Sequence, residues 1–509
     1  MDYLLGIDVG TTSVKAILVS LAGDPLFTAA EEYPLAIPRP GWAEQDPEQW
    51  WSATCQVIKK LLLESRVPPD AVKGVGLSGQ MHSSVVLDSA HQVIRPAILW
   101  CDTRTTDECR EIEKRAGGLP GLLDLTGNPA LEGFTAPKIL WLRAHEPATI
   151  KKTKHLLLPK DYIRYRLTGR LCMDYSDAAG TLLLDVKNKK WSRKLLDLLD
   201  IDPDILPDLV ESAETAGRVT GPAAAVTGLA PGTPVAGGGA DNACGAVGCG
   251  AIRPGIVMVS LGSSGIVLAT SQTPTPDFQG RIHLFNHAVQ NYWYLMGVML
   301  AAGLSFGWLK DKLLAGALDY DQLDSMAADV SPGSDGLLFL PYLRGERTPH
   351  ADADARGVFF GISDKHTRSH FIRSVMEGVT FGLKDSMALI QALDVEIKEI
   401  RAIGGGAKSP VWQQILADTF EAEVKLLRIE EGPALGAALI AGVAVGCYRD
   451  FPQAADAVVK VAQGAVPREK HLAGYRELYD VYRSLYPSLK EEYRRLAEFT
   501  SKKFVTLST

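Results

Sequence analysis

A strand, a turn of glycine and hydroxyl residues, and a second strand occur twice in this chain, as GIDVGTTSVKAIL from Gly6 and as VSLGSSGIVLAT from Val259. One unit present in each half predicts two related domains. Around both copies, short apolar and β-branched runs alternate with helix-spaced segments, which makes the fold class α/β. The 509 residues exceed what one ordinary core accommodates, so length and repeat agree on two large domains, 1–246 and 247–509.

Within the first half, YLLGIDV, SVKAILVS and PLFTAAEEY read as an antiparallel meander, and DPEQWWSATCQVIKKLLLESR reads as a helix with Asp46 as N-cap and Pro47 in the first turn. Near the end, GPALGAALIAGVAVGC is shorter than the roughly 20 apolar residues of a membrane span and reads as a closely packed small-residue helix. The C-terminal stripe of Tyr475, Leu478, Tyr479, Tyr482 and Leu485, interrupted at Pro487, suits core contact or the surface of a homodimer.

Lys and Arg number 53 against 60 Asp and Glu, a net charge of −7, which argues against a general affinity for nucleic acid or an anionic membrane. Any anionic ligand must be held locally. Seven cysteines without a C-x-x-C pair, and an opening that moves straight into a strand without a signal peptide, point to the cytoplasm.

The segment VAGGGADNACGAVGCG, Val235 to Gly250, contains only two strongly polar side chains, Asp241 and Asn242. Glycines let backbone approach a ligand, and a buried carboxylate needs a partner, so the pair reads as a base facing a hydroxyl. The same residues suit a helix N-cap before an Ala-rich segment. In GIDVGTTSVK, a strand delivers Asp8 to a turn of Gly10, Thr11 and Thr12. Converging N–H groups and hydroxyls suit phosphate, and Asp8 suits hydrated Mg²⁺ beside it. An ordinary hairpin would use the same residues.

No Gly-Lys dipeptide exists, which excludes the Walker phosphate loop. GVGLSG matches the dinucleotide pattern, but QMHSSVVLD after it reads as another strand where a helix should open. GGGAKSPVWQQILADTF is different: a glycine turn follows the strand-like EIRAI and feeds a helix capped by Ser409 with Pro410, a geometry that suits a nucleotide or a tight turn alone. His283 and His287 are four apart, yet their segment alternates like a strand and has no nearby cysteine or carboxylate, so they read as core residues. His82, at a strand end, offers a donor to a polyol.

Taken in order, these pieces resemble the FGGY carbohydrate kinases of the hexokinase, Hsp70 and actin superfamily over nearly the whole chain. GIDVGTTSVK looks like the first phosphate hairpin, LGSSG the second and GGGAKS the adenosine loop. PGWAEQDPEQWW, SGQMHS, PAILWCDTRT, GFTAPKILWL, LLPKDYIRYRLTG, DAAGTLLLDV, GGGADNACGAVG and FLPYLRGERTPH are similar to strings of the members that phosphorylate xylulose, and RGVFFGISDKHTRSHFIRSVME is similar to the C-terminal signature. Cys101 stands where many members carry Asn, and Ser83 where Gly often follows Met-His.

The resemblance implies two actin-like, ribonuclease H-like domains facing each other across a cleft, and ATP-dependent phosphorylation of a ketose with Mg²⁺. It implies that Asp241 is the base and that Asp8 organises metal and phosphate. Met81, His82, Trp100, Asp102 and Asn242 would border the sugar. Gly10, Thr11, Thr12, Ser263 and Ser264 would embrace the phosphates, and Gly404, Gly405, Gly406 and Ser409 the nucleoside. Met81-His82 and DAAGTLLLDV favour D-xylulose over ribulose, gluconate or glycerol. A non-catalytic sugar sensor is the reading from another class, disfavoured by Asp241 beside Asn242.

Overall fold

The repeated sequence plan is a repeated topology in the computed structural model, which describes residues 2–23, 25–429 and 432–503. In one unit, Tyr3–Val9 runs antiparallel to Ser13–Ser20, which continues to Pro25–Glu32, while on its other side Tyr3–Val9 lies parallel to Val72–Gly79. In the other, Gly255–Leu261 runs antiparallel to Gly265–Ser271 and parallel to Ile397–Ile403. Both hairpins therefore have the same neighbour on the same kind of edge.

The first unit comprises Met1–Ile252, Thr270–Tyr294 and Glu431–Lys460; the second comprises Arg253–Ala269, Leu295–Glu430 and Val461–Thr509. The expected single boundary after 246 does not describe this interleaving. One part of it is the return of the helix Gly432–Ala444, whose small residues let it lie directly on the first unit's sheet. A Cβ at Gly6 would stand 1.9 Å from the Ala434 carbonyl oxygen, and one at Gly76 only 1.8 Å from that of Ala437. The same helix meets Asp241–Cys249, where a Cβ on Gly436 would overlap the Cys244 carbonyl oxygen at 1.8 Å. Side chains larger than hydrogen at these three positions would push backbone from backbone.

Leu4, Leu5, Ile7 and Val9 are all buried, as a central strand covered on both faces requires, which is why YLLGIDV reads as a continuous apolar run. The helix Pro47–Ser65 begins as its sequence dictates, with the Asp46 carboxylate accepting from Glu48 N at 3.0 Å. After Val72–Gly79 the chain turns through Gln80 to Ser84 into another strand, Val85–Leu87, so no helix opens behind GVGLSG.

In the second unit the sheet continues from Ile397–Ile403 to Glu423–Leu427 and Val461–Gln463. The C-terminal helix Glu469–Lys503 turns its tyrosine stripe into the core, where Tyr475, Tyr479, Tyr482 and Leu485 pack with Phe381, Leu338 and Leu340. That stripe is core contact. Pro487 does not interrupt the helix, since it occupies the exposed face, where water can satisfy the carbonyl it leaves without a donor. Among the described residues no helix is long and apolar enough to cross a membrane.

Candidate functional site

Parallel pairing sets the positions of the two acidic candidates. Asp8 pairs with Ser78, Ser78 pairs with Gly239, and Gly79 pairs with both Val9 and Ala240. Strands spaced about 4.8 Å apart thus deliver Asp8 and Asp241 to the same end of one sheet. Such ends are where open α/β sheets gather ligands.

Asp241 is the first residue of the helix Asp241–Cys249, and the cap position belongs to Ala240. Its carboxylate accepts from Asn242 through Oδ1, from the backbone N at 2.7 Å and from Nδ2 at 2.9 Å. No hydrogen bond among the described residues reaches Oδ2. Burial, then the nearby charge of Asp8, pushes its pKa from 3.8 to about 7. A carboxylate so placed keeps one oxygen for a ligand.

Asp8 is raised by burial to about 6, with Ser78 and Lys15 pulling the other way. The Ser78 hydroxyl lies near without a hydrogen bond of good geometry, and Asp8 Oδ1 is buried with no partner. An orphaned carboxylate oxygen at a strand end fits a hydrated divalent cation, which would restore the ionised form.

Of the sugar-side candidates, Asn242 holds Asp241 and reaches Met81. Asn242 Nδ2 lies 3.8 Å from Met81 Sδ. His82 adopts a left-handed backbone, φ 70°, and its Nδ1 lies 2.5 Å from the Gly180 carbonyl oxygen. A carbonyl only accepts, so the ring proton sits on Nδ1 and Nε2 is the acceptor of the neutral ring, the reverse of the donor role expected for His82. A Cβ at Gly180 would stand 2.9 Å from Nδ1 and 3.0 Å from the Met81 methyl, so a side chain there would displace one of them. Phe134 packs on the imidazole at 4.7 Å, and Thr135 Oγ1 donates to the His82 carbonyl at 2.8 Å.

Asp102 requires a correction. Its carboxylate is buried and fully occupied, accepting from Ala43 N at 2.6 Å, from Arg104 N at 2.9 Å and from Arg104 Nε and Nη2. It anchors the turn after Trp100. Trp100 itself is 41% exposed and donates from Nε1 to Thr11 Oγ1 at 2.9 Å, so it joins the sugar-side segment to the phosphate hairpin.

That hairpin has two braces the sequence reading missed, both fully buried glutamines. Gln80 Nε2 donates to the Gly10 carbonyl at 3.1 Å and to Gln45 Oε1 at 3.3 Å, while Gln45 Nε2 donates to the Thr11 carbonyl at 2.7 Å. Trp50 Nε1 fixes Gln45 from behind at 3.0 Å. Both glutamines lie in the strings AEQD and GQMH, but an uncharged amide carries no signal of its own.

In the second unit, Ser263, Gly405, Gly406 and Ser409 line one cavity of about 1210 Å³ together with Trp308, Tyr320, Asp324 and Arg344. Gly404 lies under its wall, held at φ 88° against Leu261, where a Cβ would come within 2.9 Å of backbone. Ser264, exposed on the hairpin, is not part of the lining. Ser409 caps the helix Pro410–Phe420, accepting from Trp412 N at 2.9 Å and donating to Asp324. Its hydroxyl is thus already committed, and it is the helix N-terminus behind it that suits an anion. Phe306, Trp308, Tyr320 and Trp412 give this cavity an aromatic lining suited to a planar base, which sequence spacing does not reveal.

His287 is a satisfied core histidine. Its Nε2 donates to the Ala251 carbonyl at 3.1 Å, its Nδ1 accepts from Val289 N at 3.0 Å, and burial lowers its pKa to about 4.

A sheet end with two carboxylates, and a glycine turn feeding a capped helix over a large cavity, are what a phosphotransferase needs. Comparison with known proteins agrees. The N-terminal domain of the FGGY family of carbohydrate kinases matches residues 3–248, and its C-terminal domain matches 257–445. This chain belongs to the FGGY family of carbohydrate kinases. It is similar to the xylulose kinases of Bacillus subtilis, at 42% identity over 98% of this chain and 99% of that one, and of Escherichia coli strain K12, at 39% over 95% and 99%. The crystal structure of xylulose kinase from Rhodospirillum rubrum superposes with a TM-score of 0.90 at 33% identity, covering 97% of this chain and all of that one. FGGY kinases use ATP as co-substrate.

Proposed function

We propose that this FGGY kinase transfers the γ-phosphoryl group of ATP, with Mg²⁺, to a hydroxyl of D-xylulose to give D-xylulose 5-phosphate. The observation that carries the reading is Asp241, with one oxygen fixed by Asn242, the other without a hydrogen bond among the described residues, and Met81 Sδ 3.8 Å from Asn242 Nδ2. The similarity to xylulose kinases over nearly the full length supports the choice of sugar.

Phosphoryl transfer passes through a loose transition state, so the protein mainly aligns donor and acceptor and neutralises charge on the moving group. An alcohol is far less acidic than a carboxylic acid, even one raised to about 7. Asp241 therefore orients the hydroxyl and takes its proton late, as the bond to phosphorus forms. His82 Nε2 accepts from a neighbouring sugar hydroxyl, and Asn242 holds the base in place. Asp8 would hold the metal, which when bound would supply charge neutralisation at the phosphates. Thr11 and Thr12, and Ser263 with Ser264, would donate to phosphate oxygens, while the Gly10 N–H closes the hairpin on the Ser13 carbonyl at 3.0 Å; the aromatic cavity would take the nucleoside.

An assay of ADP release across ketoses, polyols and aldonates tests this reading. D-xylulose should give the highest kcat/KM. A preference for ribulose, gluconate or glycerol would replace the sugar and leave the phosphoryl transfer standing.

A further inference from the structure

Behind the base lies a buried knot of charge with no part in the chemistry described above. Asp161, Asp174 and Asp177 are fully buried, with ligand oxygens within 4.8 Å of one another, the spacing of a metal site. A cation already fills it. Lys160 Nζ stands 2.5 Å from Asp161, 2.7 Å from Asp174 and 3.2 Å from Asp177, and Arg164 adds a second positive charge 2.9 Å from Asp161.

Three carboxylates thus share two basic side chains. Burial, against the attraction of Lys160, holds the Asp177 carboxyl well above the ordinary carboxylate range. Asp174 is different in kind. Its Oδ2 accepts from Ser176 N at 2.9 Å, Ser176 Oγ at 2.6 Å and Ser212 Oγ at 3.0 Å.

From this knot, bonds reach the run that delivers Asp241. Ser176 Oγ accepts from Ala240 N at 3.0 Å, the residue immediately before the base. Arg164 Nη1 donates to the Gly237 carbonyl at 2.6 Å, and the Ser212 carbonyl accepts from Gly238 N at 3.0 Å. The glycines of this run have no side chains to fix it, so these contacts supply the anchoring that the sequence omits. The same short segment carries Gly180, whose carbonyl holds the His82 ring.

We propose that the segment from Asp174 to Gly180, locked by Lys160, is a positioning element that sets Asp241 and His82 at a fixed separation, with Ser176 as the positioning residue for the base. This rests on the reading of Asp241 as base and His82 as sugar-facing. Small displacements of a reacting group lower turnover without weakening ligand binding in proportion, and that split separates positioning from mere support of the fold.

Lys160→Met would leave buried carboxylates without a counter-charge and risks unfolding, so the test uses Ser176→Ala, with Thr227→Ala as its counterpart, a buried hydroxyl of the same unit outside the segment whose Oγ1 donates to the Ala223 carbonyl at 2.7 Å. In full-length protein, Ser176→Ala should lower kcat roughly tenfold with KM for sugar and for ATP within about twofold, while Thr227→Ala stays within about threefold of wild type. Hydrogen exchange read by mass spectrometry on the sugar-free protein should accelerate in 237–245 for Ser176→Ala only. Unchanged kcat, a loss expressed in KM, or equal damage from both variants overturns the proposal. A wild type inactive on every sugar sinks the substrate reading instead; exchange in 237–245 then decides the positioning role, faster for it and unchanged against it.

Discussion

The two hairpins, alike in sequence and strand pairing, are held in opposite ways. Gly10 to Thr12 is cross-braced by side chains, with Gln80, Gln45, Trp100 and the hydroxyl of Tyr33 all bonding to its backbone or to Thr11. Gly262 to Ser264 is propped by backbone alone: Gly303 N donates to the Gly262 carbonyl at 2.8 Å, and Ala302 N and Leu304 N donate to that of Ser263 at 3.0 and 3.1 Å. The hydroxyls of Ser263 and Ser264 are exposed and make no hydrogen bond among the described residues. One local motif thus serves as a rigid part of the sugar-side unit and, in the nucleotide unit, as a loop whose side chains stay open to a ligand. The lesson is that a turn motif specifies a shape, and its surroundings decide which of its polar groups remain available.

The largest effect that would test this contrast is at the base. Asp241→Asn should keep sugar affinity by titration calorimetry and lose about 10²- to 10⁴-fold in kcat; near-normal turnover would move the chemistry away from the braced unit. Next, Gln80→Ala should lower kcat about tenfold by leaving the Gly10 carbonyl with Tyr33 as its side-chain donor and Gln45 Oε1 with Trp50, so that the hairpin loses its link between the two. If Gln80→Ala is silent in steady-state kinetics, the cross-brace has no functional weight.

A pH series sharpens the same point. With its pKa near 7, Asp241 loses the ionised form below that value, so kcat should fall as pH drops from 8 to 5. The sign for stability is opposite. A folded-state pKa raised above 3.8 means the folded protein binds this proton more tightly, so the group's penalty is full above about 7 and fades as pH falls toward 4. Asp241→Asn should therefore raise Tm at pH 8, with the gain shrinking at pH 5. The smallest effect belongs to the open loop. Ser263→Ala should raise KM for ATP only about two- to fivefold at unchanged fold, one hydrogen bond's worth, and a larger loss than Gln80→Ala causes would overturn the comparison.

Much of the architecture was legible in the sequence because its signals are local. The strands around Asp8, the Asp46 cap and the glycine turn before Ser409 each depend on residues within one turn or hairpin. Asp8, Asp241 and Asn242 stood out as candidates, since few polar groups stand among small or apolar neighbours there; Met81 came only through the resemblance, and the donor role expected of His82 is reversed by its Nδ1 contact to the Gly180 carbonyl. Gln45 and Gln80 were not, because their partners are other segments. Nor was the return of Gly432–Ala444 to the first unit, which depends on backbone approach to Gly6 and Gly76.

By itself, the sequence determined two strand-turn-strand units and their α/β setting, and marked Asp8 and Asp241 as candidate carboxylates, through periodicity and turn chemistry acting over a few residues. Only the tertiary structure decided which polar groups are spent and which are open. Asp102 and Asp241 look equivalent in sequence, yet Ala43 and Arg104 consume the first while Asn242 takes one oxygen of the second. A hydrogen bond is exhausted by whatever reaches it in space, and chain distance does not record that.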